Sequence, residues 1–492
     1  MERWQVIAII IALYLLVTLA IGLLSGRNAS QTVQGYVAGD RDFGLLVMYF
    51  VLGASVFSAF AFLGGPGWAY SRGAAAFYIL CYGVIGIAPY FFIGPKAAAL
   101  GRTNGYVTQA QLICGRFPSR AFSLMIAILT LLAFIPYVTL QMRGAGIVIE
   151  AVTDGHVPLW AGSAVAYGVV TLYVLLSGVA AVGWTNTFQG LFMLTVAWSL
   201  GLYLPISLYG GVGEMFTQIM AERPELLSLP GLTASGEPWS WGGYSSAIIV
   251  SAVGLMMWPH LFMKAFTARS DNTLRRTVVL FPTFQLFLIP VFLIGFAGVL
   301  YPERPPSSDF ILPFMILNAD LPAVVVGLFC AGALSASMST GDALMHAAAS
   351  VTVEDGIRPF ASLTDKQQRR LIQAFVIILG AVSYGFAISE DVSLVVLLLT
   401  SYGIICQLAP PIVAALYWSR ATTAGAIAGF AAGSATAAFF FLMGYFGTDL
   451  RPFDLHEGLL GLMVHVPVLI VVSLLTTPQS PEHRESFVNA GS

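Results

Sequence analysis

The stretch Gly53-Ala-Ser-Val-Phe-Ser-Ala-Phe-Ala-Phe-Leu-Gly-Gly-Pro-Gly67 places helix-breaking residues inside an otherwise apolar segment. Proline removes an amide donor and clashes with the preceding turn, so nearby carbonyls lose their helical partners. Lipid has no donors for such carbonyls, which must therefore face protein, water or an ion. A second stretch, Gly254-Leu-Met-Met-Trp-Pro-His260, has the same character. The two stretches predict two broken membrane helices.

The composition around these stretches is that of a membrane protein. The chain has 492 residues, of which 58% are hydrophobic and 9% charged, whereas soluble domains carry about 25% charged residues. The four cysteines lack metal-site spacing, and the absence of a basic tract gives no indication of nucleic-acid binding. We therefore expect an all-α integral membrane protein with one membrane domain, 1–478, and a short cytoplasmic tail, 479–492.

Apolar runs of about 20 residues predict the membrane helices. Thirteen are expected, near 4–24, 45–71, 74–99, 122–151, 157–178, 182–208, 243–268, 276–301, 321–353, 369–388, 392–418, 422–446 and 457–476. With thirteen spans the termini lie on opposite faces. An external N-terminus leaves six of the 22 Lys and Arg residues outside, and the others, Arg27 and Lys264 among them, in the cytoplasm. The charge bias predicts a multi-pass protein of the inner or plasma membrane with an external N-terminus and a cytoplasmic C-terminus.

The two interruptions fall in the second and seventh predicted helices, five helices apart. This spacing is expected if 45–208 and 243–418 are two copies of one five-helix unit, with peripheral helices at 4–24, 422–446 and 457–476. An odd number of spans per copy inverts the second copy in the membrane. Inverted repeats are typical of secondary transporters, whose sites lie at the broken helices. The alternative is that Gly and Pro are simply frequent in membrane helices.

A polar stripe runs along the ninth predicted helix. Its members share one helix face because they are spaced by three or four residues: Ser335, Ser339, Asp342, His346 and Ser350. Serine hydroxyls can bond the carbonyl one turn back and merely hold helices together. The adjacent hydroxyls of Ser339 and Thr340, close to freed carbonyls, instead favour an oxygen cage for one small cation.

Other polar residues in the apolar segments need partners. His346 either pairs with Asp342, one turn away, or is a histidine satisfied by another group. Asn186 lies in the sixth predicted helix, and His260 either lines a cavity or is a core histidine bonded to a carbonyl. The sequence has no P-loop, HExxH motif or nucleophile elbow, so we expect no enzyme.

Several of these pieces match one known family. They are Gly53-Ala-Ser-Val-Phe-Ser58 with Gly64-Gly-Pro-Gly67, Trp184-Thr-Asn-Thr-Phe-Gln-Gly190, Ala336-Ser-Met-Ser-Thr340 and Ala415-Leu-Tyr-Trp-Ser-Arg-Ala-Thr-Thr-Ala-Gly-Ala426. Over nearly its whole length the chain resembles the sodium:solute symporter family. The resemblance implies a leucine-transporter-type fold with broken helices 2 and 7, and uptake coupled to sodium. It also implies a main sodium site made of the carbonyls of Ala54, Phe57 and Ala336 and the hydroxyls of Ser339 and Thr340.

The chain departs from this family at three positions. Proline-type members have Asp where this chain has Val56, many members have Asp where it has Asn186, and small hydroxyl residues often stand at the place of Asp342. We hypothesise that the charge lost at 186 is recovered at 342. Asp342, Asn186 and His346 would then form a second ion or proton site, because a lone acid in a dry site can hold a proton. The alternative is a structural acid that touches Asn186.

The sequence says less about the identity of the transported solute than about the coupling ion. Phe60-Ala-Phe-Leu-Gly-Gly-Pro-Gly-Trp-Ala-Tyr70 and the segment 339–350 resemble the monocarboxylate-permease branch, which implies a lactate-, pyruvate- or acetate-like solute; pantothenate and proline are the alternatives. With no Lys or Arg expected at mid-membrane, an anion would be neutralised by helix N-termini, bound sodium and hydroxyls. The candidates for the substrate cavity are Ser58, Phe60, Gln141, Trp258 and His260.

Functions of other classes are less compatible with the sequence. A passive channel needs a continuous polar lining, whereas the polar residues here form one compact cluster. A membrane sensor needs a signalling domain, for which the segment after Pro478 is too short. The expected partners are a small organic solute and the lipid bilayer, with sodium as the coupling ion, proton coupling as an open alternative, and the oligomeric state left open.

Overall fold

The computed structural model describes residues 1–25, 32–389 and 394–491, which form helices and no strand beyond isolated bridges. The first helices are α1 (Arg3–Ser25), α2 (Val33–Ala38), α3 (Leu45–Val56), α4 (Gly65–Arg72), α5 (Phe77–Ile87), α6 (Tyr90–Asn104), α7 (Gln109–Arg116), α8 (Arg120–Val152), α9 (Leu159–Tyr209) and α10 (Val212–Glu222). They are followed by α11 (Trp241–Leu255), α12 (Pro259–Phe262), α13 (Asp271–Gln285), α14 (Leu288–Gly298), α15 (Ile311–Asn318), α16 (Ala323–Val351), α17 (Asp365–Ser389), α18 (Leu394–Ile405), α19 (Ala409–Tyr417), α20 (Thr423–Tyr445), α21 (Glu457–Leu475) and α22 (Pro481–Val488). Arg27 and the first two residues of the predicted span 392–418 lie outside the described residues.

Both predicted helix breaks are present. Helix α3 ends at Val56, and Phe57 leaves the helix with φ −90° and ψ 81°. A π-helical turn, Phe60–Gly64, then leads into α4, with Pro66 in its first turn. Helix α11 ends at Leu255, and the segment 259–266 continues from it with a bend of 44°.

The described residues include ten helical segments long and apolar enough to span a membrane, or eleven with the bent pair of α11 and 259–266. The 51-residue helix α9 contains a break at Gly178, with φ 57° and ψ −142°. This break lies where the sequence predicts the boundary between spans 157–178 and 182–208. A Cβ at Gly178 would lie 2.6 Å from the Tyr36 carbonyl oxygen, so the left-handed turn and the close packing both require glycine. The all-helical membrane fold is confirmed, while the count of thirteen spans stays a prediction.

Helix α16 lies at the centre of the molecule. It contacts α1, α8, α9 and α17, and also both broken helices, through α3 and α12. Its residues from Cys330 to Val351 are all buried. The polar stripe therefore faces other helices and not lipid, as a stripe that includes a carboxylate must.

Two segments outside the predicted membrane spans are helical in part. The segment 209–242 contains the 11-residue helix α10. Met215 and Ile219, four residues apart, are its buried residues, so a short apolar face stabilises it. The tail 479–492 contains α22, whose Phe487 is buried and whose Val488 carbonyl accepts a hydrogen bond from Lys96.

Candidate functional site

The break after α3 releases two backbone carbonyls. The Ser58 amide donates to the Val56 carbonyl at 3.2 Å and not to Ala54, its partner in a regular helix. The Ala59 amide donates to Oε1 of Gln141 at 3.0 Å and not to the Ser55 carbonyl. The carbonyls of Ala54 and Ser55 thus lose their helical donors inside the protein.

The two adjacent hydroxyls of α16 fill this gap. Ser339 Oγ donates to the Ala54 carbonyl at 2.9 Å and also lies 3.3 Å from the carbonyl of Ala336. Thr340 Oγ1 lies 3.3 Å from the Ala54 carbonyl and 3.2 Å from that of Ser55. All of these residues are fully buried. Four of the oxygens predicted for the sodium site, from Ala54, Ala336, Ser339 and Thr340, therefore converge around neutral groups only.

Phe57, the fifth predicted ligand, stands at the break itself. Its ring stacks on that of Phe284, with 5.5 Å between the centroids, which anchors the point where the backbone leaves α3. The Ser55 carbonyl was not predicted, yet it accepts from Thr340. Only the Gly-Pro signal of the broken helix hinted that a further carbonyl was free.

Asn186 ties three helices together beside these oxygens. Its Nδ2 donates to the Ser55 hydroxyl at 3.0 Å and to the Ser339 carbonyl at 2.8 Å. Its Oδ1 is buried and accepts no hydrogen bond from the part of the chain that the structure describes. Asn186 thus presents an unused oxygen near the hydroxyl pair of α16.

Asp342 lies one turn further along α16 and is fully buried. Its Oδ2 accepts hydrogen bonds from Tyr173 at 2.9 Å and from Thr185 at 3.1 Å, both on α9. Its Oδ1 has no donor among the described residues. Among the described residues no hydrogen bond joins Asp342 to Asn186, and the partners of the carboxylate are Tyr173 and Thr185 instead. A hydrogen-bonded structural acid and an ion or proton site both stay predictions for Asp342.

His346 is satisfied by the backbone and does not pair with Asp342. Its Nε2 lies 3.0 Å from the Tyr36 carbonyl oxygen, and its ring packs on the Tyr36 ring with 5.4 Å between the centroids. Tyr36 belongs to α2, a short helix that no apolar run predicted. Of the two sequence interpretations, the one with another partner is therefore correct.

One charged side chain was assigned to the wrong environment. Lys264 was counted with the cytoplasmic cations, but it lies in the helical turn after α12 and is only 4% exposed. Its charge interacts electrostatically with Asp342. Lys264 is therefore a lysine packed inside the protein and not a solvated charge at the surface, whereas its depth in the membrane stays a prediction.

The cavity candidates meet where α8 faces both breaks. Gln141 of α8 bonds to the Ala59 amide, beside Ser58, whose hydroxyl accepts from the amide of Phe60. One turn earlier on α8, Tyr137 packs on the other break, with its ring centroid 4.7 Å from that of Trp258 and 5.9 Å from that of His260.

The rings of Tyr137, Trp258 and His260, together called the aromatic wall, pack beside polar atoms that are not used. Nε2 of Gln141 and both ring nitrogens of His260 are buried without a hydrogen-bond partner among the described residues. Unpaired buried polar atoms are costly, and in a site they are the groups that orient a ligand. Tyr402 of α18, 5.8 Å from Trp258 between ring centroids, was not predicted and adds a further aromatic side chain to the wall.

The chain is similar to proteins of one known family. A family model described as the sodium:solute symporter family matches residues 36–433. Similar proteins include YhjB, an uncharacterised symporter of Bacillus subtilis strain 168, which is 27% identical over 95% of this chain and 96% of its own length. A monocarboxylate transport permease protein of Rhizobium johnstonii is 25% identical over 96% and 98%. The sodium/pantothenate symporter of Escherichia coli K12 is 25% identical over 84% and 86%.

The fold has a solved counterpart. A Na⁺-coupled sialic acid symporter, in a substrate-bound outward-open state, superimposes with a TM-score of 0.78 at 18% identity over 96% of this chain and 98% of that one. This likeness confirms the predicted leucine-transporter-type fold. Because the family model covers most of its length, the chain belongs to the sodium:solute symporter family, as a multi-pass membrane symporter, not an enzyme, that couples the movement of a small organic solute to sodium.

Proposed function

We propose that sodium binds between the break after α3 and the hydroxyl pair of α16. Its ligands are the carbonyls of Ala54, Phe57 and Ala336 and the hydroxyls of Ser339 and Thr340. The observation that carries this proposal is the convergence of both hydroxyls on the Ala54 carbonyl, at 2.9 and 3.3 Å. Neutral oxygens suit a small monovalent cation, because they can coordinate it without trapping it by charge.

Sodium binding to purified protein tests this site without knowledge of the solute. We expect Ser339→Ala to abolish saturable ²²Na⁺ binding in the millimolar range. Ser350→Ala is the matched control, since among the described residues the Ser350 hydroxyl bonds only the carbonyl of His346, one turn back on the same helix. Equal sodium affinity in Ser339→Ala and Ser350→Ala would overturn the assignment.

A second cation or proton site is centred on Asp342 in this proposal. Support comes from the unpartnered Oδ1 of Asp342 and the unpartnered Oδ1 of Asn186, both buried near the main site. His346 has a positioning role, because its ring nitrogen holds the Tyr36 carbonyl next to the same helix. Asp342→Asn should change the sodium or proton dependence of uptake; unchanged coupling at normal expression would exclude the ion role.

The solute is best described as a small monocarboxylate of the lactate, pyruvate or acetate type. The similarity to a monocarboxylate transport permease over 96% of the chain supports this choice, as does the aromatic wall around Trp258 with its few unused polar atoms. Pantothenate is the alternative because a pantothenate symporter is equally identical in sequence, over a smaller part of the chain. A proline transporter of Bacillus subtilis, 24% identical over 95% of the chain, keeps proline as a further alternative.

Uptake into proteoliposomes decides between these solutes. Labelled lactate, pyruvate, acetate, proline and pantothenate are compared under a sodium gradient and under a proton gradient. We expect sodium-driven accumulation of a monocarboxylate, with counterflow stimulated by unlabelled solute inside the vesicles. Accumulation of pantothenate or proline alone would replace the substrate, and equilibration without counterflow would indicate a channel.

The topology also remains our proposal. It comprises one transport domain, 1–478, with repeats at about 45–208 and 243–418, an external N-terminus and a cytoplasmic C-terminus. The positive-inside charge bias supports this orientation. Reporter fusions at each end, active only on one side of the membrane, test it, and equal activity at both ends would contradict thirteen spans.

A further inference from the structure

Lys264 is a buried cation without a direct partner. It lies in the turn Met263–Phe266, on the second half of the broken span, and is 4% exposed. Its ammonium group makes no hydrogen bond, and no ion pair within 4.0 Å, with any described residue. A charge in the interior of a membrane protein is costly, so such a residue has an electrostatic partner or a task.

The partner is Asp342. The helix α12 that precedes Lys264 packs against α16, the helix of Asp342. Both side chains are buried, at 4% and 0% exposure, so an attraction between their charges is screened far less than it would be in water. Lys264 also interacts electrostatically with His260 on its own segment and with His346 on α16. The carboxylate is the one anionic side chain among these groups, so it is the natural counter-charge for the ammonium.

One oxygen of the Asp342 carboxylate is free to bind a cation. Tyr173 and Thr185 occupy Oδ2 of Asp342, while Oδ1 is buried and has no donor among the described residues. A sodium ion at the second site would use that oxygen. A lysine ammonium is a compact point charge on a flexible stem of four carbons, so it can supply the same positive charge from a short distance.

We propose that Lys264 is a tethered cation that neutralises Asp342 in place of a second sodium ion, so that the protein binds one sodium, at Ser339 and Thr340. The inference rests on the proposed second site at Asp342 and specifies its occupant. A tethered group has an effective concentration of roughly millimolar or above, and so competes with a freely diffusing ion for the same carboxylate. The pair would also link the broken span to α16, against which α12 packs.

Counting bound sodium ions tests the proposal. Equilibrium binding of ²²Na⁺ is measured on the purified full-length protein, on Lys264→Gln, and on Lys264→Gln combined with Asp342→Asn. We expect one ion for the wild type, two for Lys264→Gln, because the carboxylate is then open to sodium, and one for the double variant. Lys366→Gln, which changes an exposed lysine, is the matched control and should keep one ion.

Other outcomes overturn the proposal. A wild type that binds two ions, or a Lys264→Gln variant that still binds one, excludes the tethered cation. If Lys264→Gln does not fold alone, the double variant should restore folded protein that binds one ion, and its failure to do so also contradicts the pairing. A Lys264→Gln variant that keeps one sodium but loses lactate binding would make Lys264 a solute ligand instead.

The main sodium site is tested separately. Ser339→Ala should remove one bound ion in the wild-type background and one of the two in the Lys264→Gln background. If Ser339→Ala removes none in either background, the proposed main site fails, whatever Lys264→Gln shows. The two proposals can thus fail independently.

Discussion

Two neighbouring turns of α16 both carry buried polar side chains, but these side chains are stabilised in different ways: the neutral turn contains Ser339 and Thr340, and the charged turn contains Asp342. At Ser339 and Thr340 every polar group is neutral, and the hydroxyls donate to carbonyls freed by the break after α3. One turn on, Asp342 is an acid that leaves one oxygen unpartnered, and its proposed counter-charge, Lys264, forms no direct ion pair with it in the part of the chain that the structure describes. Neutral dipoles can satisfy one another and still accommodate an ion, whereas a carboxylate needs an opposite charge. The first turn is therefore suited to a reversible ligand and the second to a resident counter-charge.

Removing the counter-charge should have the largest effect. Lys264→Met leaves Asp342 without its proposed counter-charge, and an uncompensated buried charge is destabilising, by roughly 3–5 kcal/mol where the lost partner was in direct contact and by less where it was more distant. We expect a marked fall in the melting temperature of the detergent-solubilised protein, measured by loss of the monodisperse peak after heating. In the double variant with Asp342→Asn, most of the lost melting temperature should be restored, because no charge is then left unpaired. If the Lys264→Met and Lys366→Met variants have equal melting temperatures, Asp342 does not depend on a resident counter-charge, and the two turns of α16 do not differ in this respect.

Changes in the neutral turn should affect binding more than stability. Thr340→Val keeps the shape of the side chain but removes a hydroxyl that lies within 3.3 Å of two carbonyls. Loss of such a buried partner costs about 1–3 kcal/mol, which corresponds to a roughly 5- to 150-fold rise in the sodium concentration at half-saturation. Thr340→Ser retains the oxygen and should bind sodium nearly as the wild type does. Equal sodium affinity for Thr340→Val and Thr340→Ser would show that this oxygen is not a ligand.

A smaller effect is expected at Gln141, which supports the neutral turn from α8. Gln141→Leu removes the acceptor for the Ala59 amide, which can then return to the Ser55 carbonyl and close the break by one bond. A net hydrogen bond is worth about 0.5–1.5 kcal/mol, so sodium affinity should fall roughly 2- to 10-fold. Gln141→Glu keeps an acceptor oxygen and serves as the comparison. If Gln141→Leu binds sodium as well as Gln141→Glu, the amide does not hold the break open.

The smallest effect is expected at a solvent-exposed ion pair, Asp449 with Arg451. Arg451 donates hydrogen bonds to Asp449 in the loop after α20, and these bonds lower the pKa of Asp449 from 3.8 to about 2. Because the folded-state pKa is lowered, the stabilisation is complete above about pH 3.8 and is lost as the pH falls through about 2. Exposed pairs contribute about 0–1 kcal/mol. Asp449→Asn should therefore change the melting temperature at pH 7 by far less than Lys264→Met does, and a comparable change would show that burial is not what separates the two cases.

The sequence predicts the neutral turn better than the charged one. The breaks are indicated by Pro66, by Pro259 and by the glycines of the same stretches. Lipid cannot satisfy the carbonyls that a break frees, so these carbonyls must face protein. The hydroxyls of Ser339 and Thr340 are the polar groups that the sequence offers them. These signals are local. They need only the position of a residue along its own helix, so hydropathy and helix periodicity are sufficient.

The charged turn depends on contacts between distant segments. Tyr173 and Thr185 reach Asp342 from either side of the Gly178 break, whose left-handed backbone sets how the two halves of α9 face α16. Tyr36 reaches His346 from a short helix with no apolar run. Lys264 was misplaced because a positive charge near a span boundary is indistinguishable, along the sequence, from a cytoplasmic one. Relations of this kind come from tertiary packing and have no local signature.

The side chain of Gln141 has a thermodynamic consequence for coupling. Its oxygen holds open the break that frees the Ser55 carbonyl, while its nitrogen is buried and has no hydrogen-bond partner among the described residues. A solute that accepts a hydrogen bond from this nitrogen would restrain the same amide that keeps the backbone ready for sodium. Linkage then requires reciprocity: the factor by which the solute raises the affinity for the ion equals the factor by which the ion raises the affinity for the solute. One glutamine would thus contribute to cooperativity between two ligands that need not touch each other.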